Sequence, residues 1–143
     1  MKIDVALARQ LLAQADHGVL STVHETRGID SVPVVFAVDA DRLAIPIDRV
    51  KPKAPGPLQR ERNLAGDPRA TLLVERWDRL DWSQLWWVRA SLIWMPEPTD
   101  GLGALSAALS TKYPQYSSRP FDRILAFGIS STTGWAASES AIS

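Results

Sequence analysis

The chain contains no cysteine. That excludes disulfides, thiolate nucleophiles and zinc sites built on cysteine. It has only two histidines, His17 and His24, too few for a His-rich metal site, and no metal ligand set is expected. Net charge is zero, with 16 basic and 16 acidic residues. The molecule as a whole therefore has no electrostatic attraction for nucleic acid, and any anion site must come from local clustering. No apolar run approaches transmembrane length, so no membrane partner is expected. The first residues, M-K-I-D-V-A-L-A-R-Q-L-L, interrupt their apolar stretch with Asp4 and Arg9. They lack a signal-peptide core, and a cytoplasmic location is expected. There is no G-x-S-x-G elbow, no H-E-x-x-H, no Walker loop and no G-x-G-x-x-G. Gly101-Leu102-Gly103 opens a helical segment but follows a proline-rich turn, so it does not make a nucleotide loop. If the protein is an enzyme, a cofactor must supply the reactivity.

What is present is a β-rich pattern. A length of 143 residues suits one domain, 1–143. Asp4 caps a helix from Val5 to about Ala15, with an apolar stripe at helical spacing. Strands are expected at Val19–Val23, Val32–Val38, Leu43–Ile47, Arg69–Trp77, Gln84–Met95 and Arg123–Ser130. Shorter helices are expected at Leu58–Gly66 and Gly101–Lys112, and residues 136–143 read as a flexible tail. Pro46 lies inside a strand, where it cannot donate to a ladder, so an edge or a bulge is expected there. The connections are too short for crossover helices, which favours antiparallel neighbours and a barrel. The fold class expected is mainly β with short helices.

Two segments stand out chemically. Arg49 to Asn63 brings Lys51, Lys53, Arg60 and Arg62 together on a proline-stiffened loop and helix, donors of the kind that phosphate and carboxylate groups need. A solvated basic loop reads equally well. Six tryptophans, four of them between residues 77 and 87, mark a core wall, a subunit interface or a ring-stacking site. Alternation sends Trp86 and Trp87 to opposite faces of their strand. His17 and His24 sit at element ends, where structural or exposed roles are expected.

The succession V-P-V-V-F, I-D-R-V-K-P-K, R-N-L-A-G-D-P-R-A-T-L-L-V and D-W-S-Q-L-W-W-V-R resembles flavin and deazaflavin oxidoreductases related to pyridoxamine 5′-phosphate oxidase. Within them it is most similar to the coenzyme F420-dependent branch, and K-Y-P-Q-Y and the closing G-W fit the same branch. The resemblance runs from about Val5 to Trp135. It implies a split β-barrel of the FMN-binding kind, working as a homodimer with cofactor sites at the subunit interface. It implies F420, or alternatively FMN, as cofactor and hydride transfer to a small unsaturated substrate. A non-catalytic binder of a flavin or tetrapyrrole and an FMN oxidase are the alternatives. The positions implied for the cofactor's phosphate are Ile47, Asp48, Lys51, Lys53, Arg60 and Asn63. Pro33, Val34 and Val35 correspond to the strand beneath the ring, and Trp77 and Trp87 to positions near the ring or the dimer seam.

Overall fold

The computed structural model describes residues 1–49, 56–96 and 101–143. Its elements in chain order are β1 (Lys2–Ile3), α1 (Val5–Gln14), β2 (Gly18–His24), β3 (Gly28–Val34), β4 (Ala37–Asp39), β5 (Arg42–Asp48), α2 (Gln59–Gly66), β6 (Arg69–Arg76), β7 (Trp86–Met95), α3 (Leu102–Lys112) and β8 (Phe121–Ala136). The Asp4 carboxylate accepts from the Leu7 amide at 2.8 Å and caps α1 as its sequence position suggests.

Every described strand pairing is antiparallel. The strands run in the order β3-β2-β6-β7-β8-β5-β4, with β1 added against the end of β8. The sheet does not close. Its two edges, β3 and β4, are consecutive in the chain and separated only by Val35 and Phe36. Curling brings the inner faces of both ends into one core, where Leu20, Phe36, Leu43, Ile45, Leu72, Leu92 and Phe127 pack together with Leu12 of α1. A second cluster on the other face of β4, β5 and β8 packs Ala44 and Ala126 against Leu105, Leu109 and Tyr116.

Two differences from the sequence-based expectation have physical causes. The strand expected at 32–38 is two strands, because the chain turns the barrel corner at 35–36. The last strand is expected at 123–130 but spans 16 residues, Phe121–Ala136. Its polar stretch Ser130–Thr133 remains in the ladder because the outward side chains need no burial; Thr132 alone of that stretch points inward and is buried. Ser130 is the extra residue of a bulge, since Ser131 faces Ser91 while Ile129 faces Leu92. The expected tail also packs. Ala136 ends β8, and a 3-10 turn at Glu139–Ile142 buries Ala141.

Pro46 lies where β5 has lost one neighbour. β4 pairs with β5 only from Arg42 to Ala44, so beyond Ala44 the strand is held by β8 alone. The register then shifts between Ile47 and Asp48. The expected edge and a bulge thus both occur within two residues of the proline. Among the described residues no helix is long and apolar enough to cross a membrane.

Gly18 is set by close approach. A Cβ there would stand 2.9 Å from the Leu73 carbonyl oxygen and 3.0 Å from Val74 Cγ1. At Gly66, by contrast, a Cβ would meet nothing within 4 Å. Gly18→Ala is expected to destabilise the fold by about 1–3 kcal/mol through overpacking. Gly66→Ala is expected to be neutral or stabilising by up to about 1 kcal/mol. Urea unfolding of both variants, read as a shift in midpoint at constant slope, checks the contrast.

Candidate functional site

The split between the sheet's edges forms a slot of ≈ 220 Å³. One wall is the end of β3 and the corner after it, Pro33, Val34 and Val35. The other wall is the uncovered part of β5, Ile45, Pro46 and Asp48. Arg60 from α2 and His17 from the α1–β2 connection complete the lining among the described residues. Each of the two wall strands, β3 and the uncovered part of β5, carries a proline at the slot. Proline persists in a ladder where its missing N–H would have pointed away from the partner strand, which here means into the slot. The two edges therefore present apolar surface rather than donors, and do not zip together.

Among the described residues, Arg60 is the basic side chain set over this site. That side chain is half-buried, and Nε is buried with no hydrogen-bond partner among the described residues. Burial pulls its proton affinity down from the ordinary arginine value, while the nearby Glu61 and Asp48 charges oppose that shift. An arginine stays protonated regardless, so this buried N–H is a donor open to a ligand oxygen or a water.

Helix α2 holds Arg60 through its neighbours on either side. Glu61 accepts from Arg123 Nε at 2.7 Å and Nη2 at 3.0 Å, and from the Leu58 amide at 2.7 Å. Burial raises the Glu61 pKa, but these donors outweigh it and the carboxyl lies below its ordinary value. Asn63 is buried and donates to Thr22 Oγ1 at 3.0 Å and Asp30 Oδ2 at 2.8 Å. It also accepts from Gln59 Nε2 at 2.8 Å. The Asp30 carboxyl is held low first by Arg27 and then by Asn63.

On the far wall, Asp48 is buried and accepts a hydrogen bond from the Tyr116 hydroxyl. Burial and Asp48 both push the Tyr116 phenol far above its ordinary value. Behind the corner, Tyr113 and Lys112 bond to the backbone of Phe36. Burial lowers the Lys112 amine to about 8 against the opposing pull of Asp16. Its Nζ also stands 4.0 Å from the centroid of the Phe36 ring, a cation–π contact.

The structure brings together Pro33, Val34, Val35, Asp48 and Arg60 of the positions suggested by sequence. Ile47 sits beside them but points into the barrel core and is buried there. Asn63 spends its polar atoms on β2, β3 and its own helix. Trp77 lies one residue past β6 and is 60% exposed, edge-on to Trp82 at 6.2 Å. Trp87 lies on the outer face of the sheet, with the Arg89 guanidinium 5.4 Å from its ring, while Trp86 packs on the core. The two neighbouring tryptophans thus take opposite faces as alternation requires. Lys51 and Lys53 lie outside the described residues. His24 is structural: its Nδ1 accepts from the Thr26 and Arg27 amides. Sequence reasoning did not single out His17, Ile45 or Pro46 as lining residues. Only the proline on an otherwise regular strand hinted at them.

No protein-family model matches the sequence, and no curated protein matches it. Solved structures share the fold. A heme-binding protein from Mycobacterium smegmatis superposes with a TM-score of 0.68 at 15% identity, covering 96% of this chain and 60% of that one. A FAD-binding protein from Mesorhizobium loti gives 0.62 at 14% identity, with 94% and 93% covered. A protein from Corynebacterium glutamicum described as a candidate pyridoxamine 5′-phosphate oxidase gives 0.58 at 14% identity, with 94% and 90% covered. The chain has their split-barrel fold, as its sequence led us to expect. Identities this low speak for the fold alone.

The groups around Lys112 predict a pH signature. Between about pH 8 and the ordinary lysine value of 10.5, the unfolded chain binds more protons than the folded one. Stability therefore rises with pH through that window. Tyr113 and Tyr116 act oppositely: their folded values are raised above the ordinary 10.0, so the unfolded chain loses those protons first. Stability should climb from about pH 8 to 10 and then fall. Lys112→Met should flatten the climb and leave the fall, as read from urea midpoints across pH.

Proposed function

We propose that the slot binds a planar, anionic cofactor of the flavin or deazaflavin kind, coenzyme F420 in the first place, and that the protein is an oxidoreductase acting on a small unsaturated organic acceptor. One observation carries this reading: the buried Arg60 Nε–H, without a partner among the described residues, set over a largely apolar slot in which Asp48 is the one acidic lining residue described. A flat ring fits the Pro33–Val35 wall, and a phosphate or ring oxygen fits the guanidinium. When bound, the cofactor supplies the hydride-transferring carbon. The protein orients the ring, excludes water and provides charge, and needs no side-chain acid for that task. Fold neighbours named for FAD binding and pyridoxamine phosphate oxidation support a ring-binding slot. The preference for F420 over FMN rests on the K-P-K and D-W-S-Q-L-W-W-V-R resemblance. A neighbour named for heme binding favours a second reading, a non-catalytic tetrapyrrole carrier.

The working unit in this reading is a homodimer. The outer face of β3-β2-β6-β7 and the second half of β8 lies away from α3, which packs on the Ala126 end of β8. Its register aligns Pro33, Val19, Leu73, Arg89 and Thr133 in one row and Ser31, Ser21, Thr71, Ser91 and Ser131 in the next. Leu73 is 38% and Ile93 43% exposed on this face. Five strands about 4.8 Å apart and some eight residues long make a surface of roughly 600 Å², close to the ~800 Å² per partner of a standard interface. Hydroxyls donate and accept alike, so a row of them matches its own copy across a two-fold axis. Pro33 belongs to both the face and the slot, and a second copy seated there reaches the cofactor. The slot itself is smaller than the ~300–1,000 Å³ usual for a ligand pocket, which suits a site that a second subunit enlarges.

Titration of the protein with F420, FMN and hemin, followed by tryptophan quenching, tests the reading. F420 is expected to saturate in the micromolar range with FMN weaker. Binding of hemin alone selects the carrier, and binding of none removes the proposal. The Arg60→Ala, Lys53→Ala double variant should bind F420 at least ~10-fold more weakly, because charge-assisted bonds to phosphate are lost. For assembly, sedimentation should show a dimer that Leu73→Asp converts to monomer with the fold intact. A monomeric parent protein at tens of micromolar would remove the dimer from the proposal.

A further inference from the structure

We infer that the turn from Lys112 to Tyr116 is the positioning element of the slot, with Tyr113 and Tyr116 setting the placement of its two walls. The inference deepens the reading of the slot as a ligand site and rests on it. None of the three side chains Lys112, Tyr113 and Tyr116 is among the described residues lining the slot. Each acts through a residue that does line it, or through the neighbour of one.

Pro114 opens a 3-10 turn over Pro114–Tyr116, and Tyr113 is its capping residue. Tyr113, in extended conformation, and Tyr116, the last residue of the turn, thus flank Pro114 and Gln115. Their rings meet edge-on at 5.6 Å, and Phe121 braces Tyr116 from behind at 5.0 Å. The Tyr113 hydroxyl accepts from the Phe36 amide at 3.2 Å. Its single proton is shared between the Phe36 and Asp16 carbonyls, each 2.9 Å away. Lys112 Nζ adds a second donor to the Phe36 carbonyl at 2.9 Å.

These contacts serve a backbone need. Phe36 sits at the corner between β3 and β4, outside both strands, and buried amide and carbonyl groups require partners. Phe36 follows Val35 of one wall, and Asp16 precedes His17 at the rim. One phenol therefore ties the two chain segments that bound that side of the slot. On the other side the Tyr116 hydroxyl holds Asp48. Two tyrosines of one short turn thus grip opposite walls, and their effects should be separable.

Amide hydrogen exchange tests this on the intact chain. In Tyr113→Phe the Phe36 amide loses its acceptor, and its exchange should quicken at least ~10-fold while barrel amides such as Leu72 stay as they were. Tyr116→Phe should leave Phe36 protected. Leu20→Ala, a barrel-core change that leaves the Tyr113 hydroxyl in place, should speed exchange broadly without singling out Phe36. Unchanged protection of Phe36 in Tyr113→Phe, or a uniform loss of protection matching Leu20→Ala, overturns the inference.

Affinity for F420 and FMN, measured where every variant is folded, supplies the second readout. Both tyrosine variants should bind about 10-fold more weakly, the order expected for a lost hydrogen bond in a buried site. Leu20→Ala should bind as the parent does. Equal weakening in Leu20→Ala would reduce the tyrosines to general stabilisers and overturn the proposal. If the parent protein binds neither cofactor, the cofactor reading fails on its own, and the exchange result alone decides the role of the turn.

Discussion

Phe36 stands where the sheet leaves one edge strand and begins the other, and its backbone groups face no strand partner there. An antiparallel sheet that curls this far would be expected to zip its edges together or cap them. Here the corner residue is satisfied instead by side chains from a turn 77 positions along the chain. That substitution keeps β3 and β5 apart. The slot, the exposure of its proline-bearing edges and the approach of Arg60 all follow from a barrel that stays open at this corner.

The electrostatics of the site are local in the same sense. With a net charge of zero, the molecule does not draw anions from a distance. Among the described residues the slot instead sets one half-buried guanidinium over largely apolar walls, with Asp48 and Glu61 near enough to oppose the loss of its proton. Helix α2 lacks a stabilising apolar face of any length. It is pinned by polar ties on both sides: Glu61 to Arg123 on β8, and Asn63 to Thr22 and Asp30 on β2 and β3. Arg60 lies between these anchors, so the sheet's two halves jointly fix the cation that spans their gap. The same β3 edge continues into the outer face, which links the slot physically to the surface proposed for assembly.

Much of the fold was legible in the residues. Helix α1 follows from its capping aspartate and apolar stripe, and β6 and β7 from β-branched and aromatic runs bounded by Asp67-Pro68 and Pro96. Pro46 announced an edge. Half of the candidate site was legible as well, because the wall strand and Arg60 belong to local motifs. Other positions were not. Asn63 looked like a ligand residue, yet it is committed to strands 33 and 41 positions away. Trp77 looked like a strand residue near the ring and stands exposed on a loop. The polar second half of β8 carries no apolar alternation, although its two partner strands, β7 and β1, hold it in the ladder.

Local periodicity and turn chemistry act over a few residues, and so the sequence by itself determined which segments are helix and which strand, the all-antiparallel character and the basic and tryptophan-rich segments. Tertiary structure decided where the sheet splits, that the Lys112–Tyr116 turn reaches Asp16, Phe36 and Asp48, and that Arg60 keeps a buried donor with no partner among the described residues. Those outcomes depend on contacts between residues 68 to 97 positions apart. Such contacts arise only from the register and curl of the whole sheet, and no short stretch of the chain encodes them.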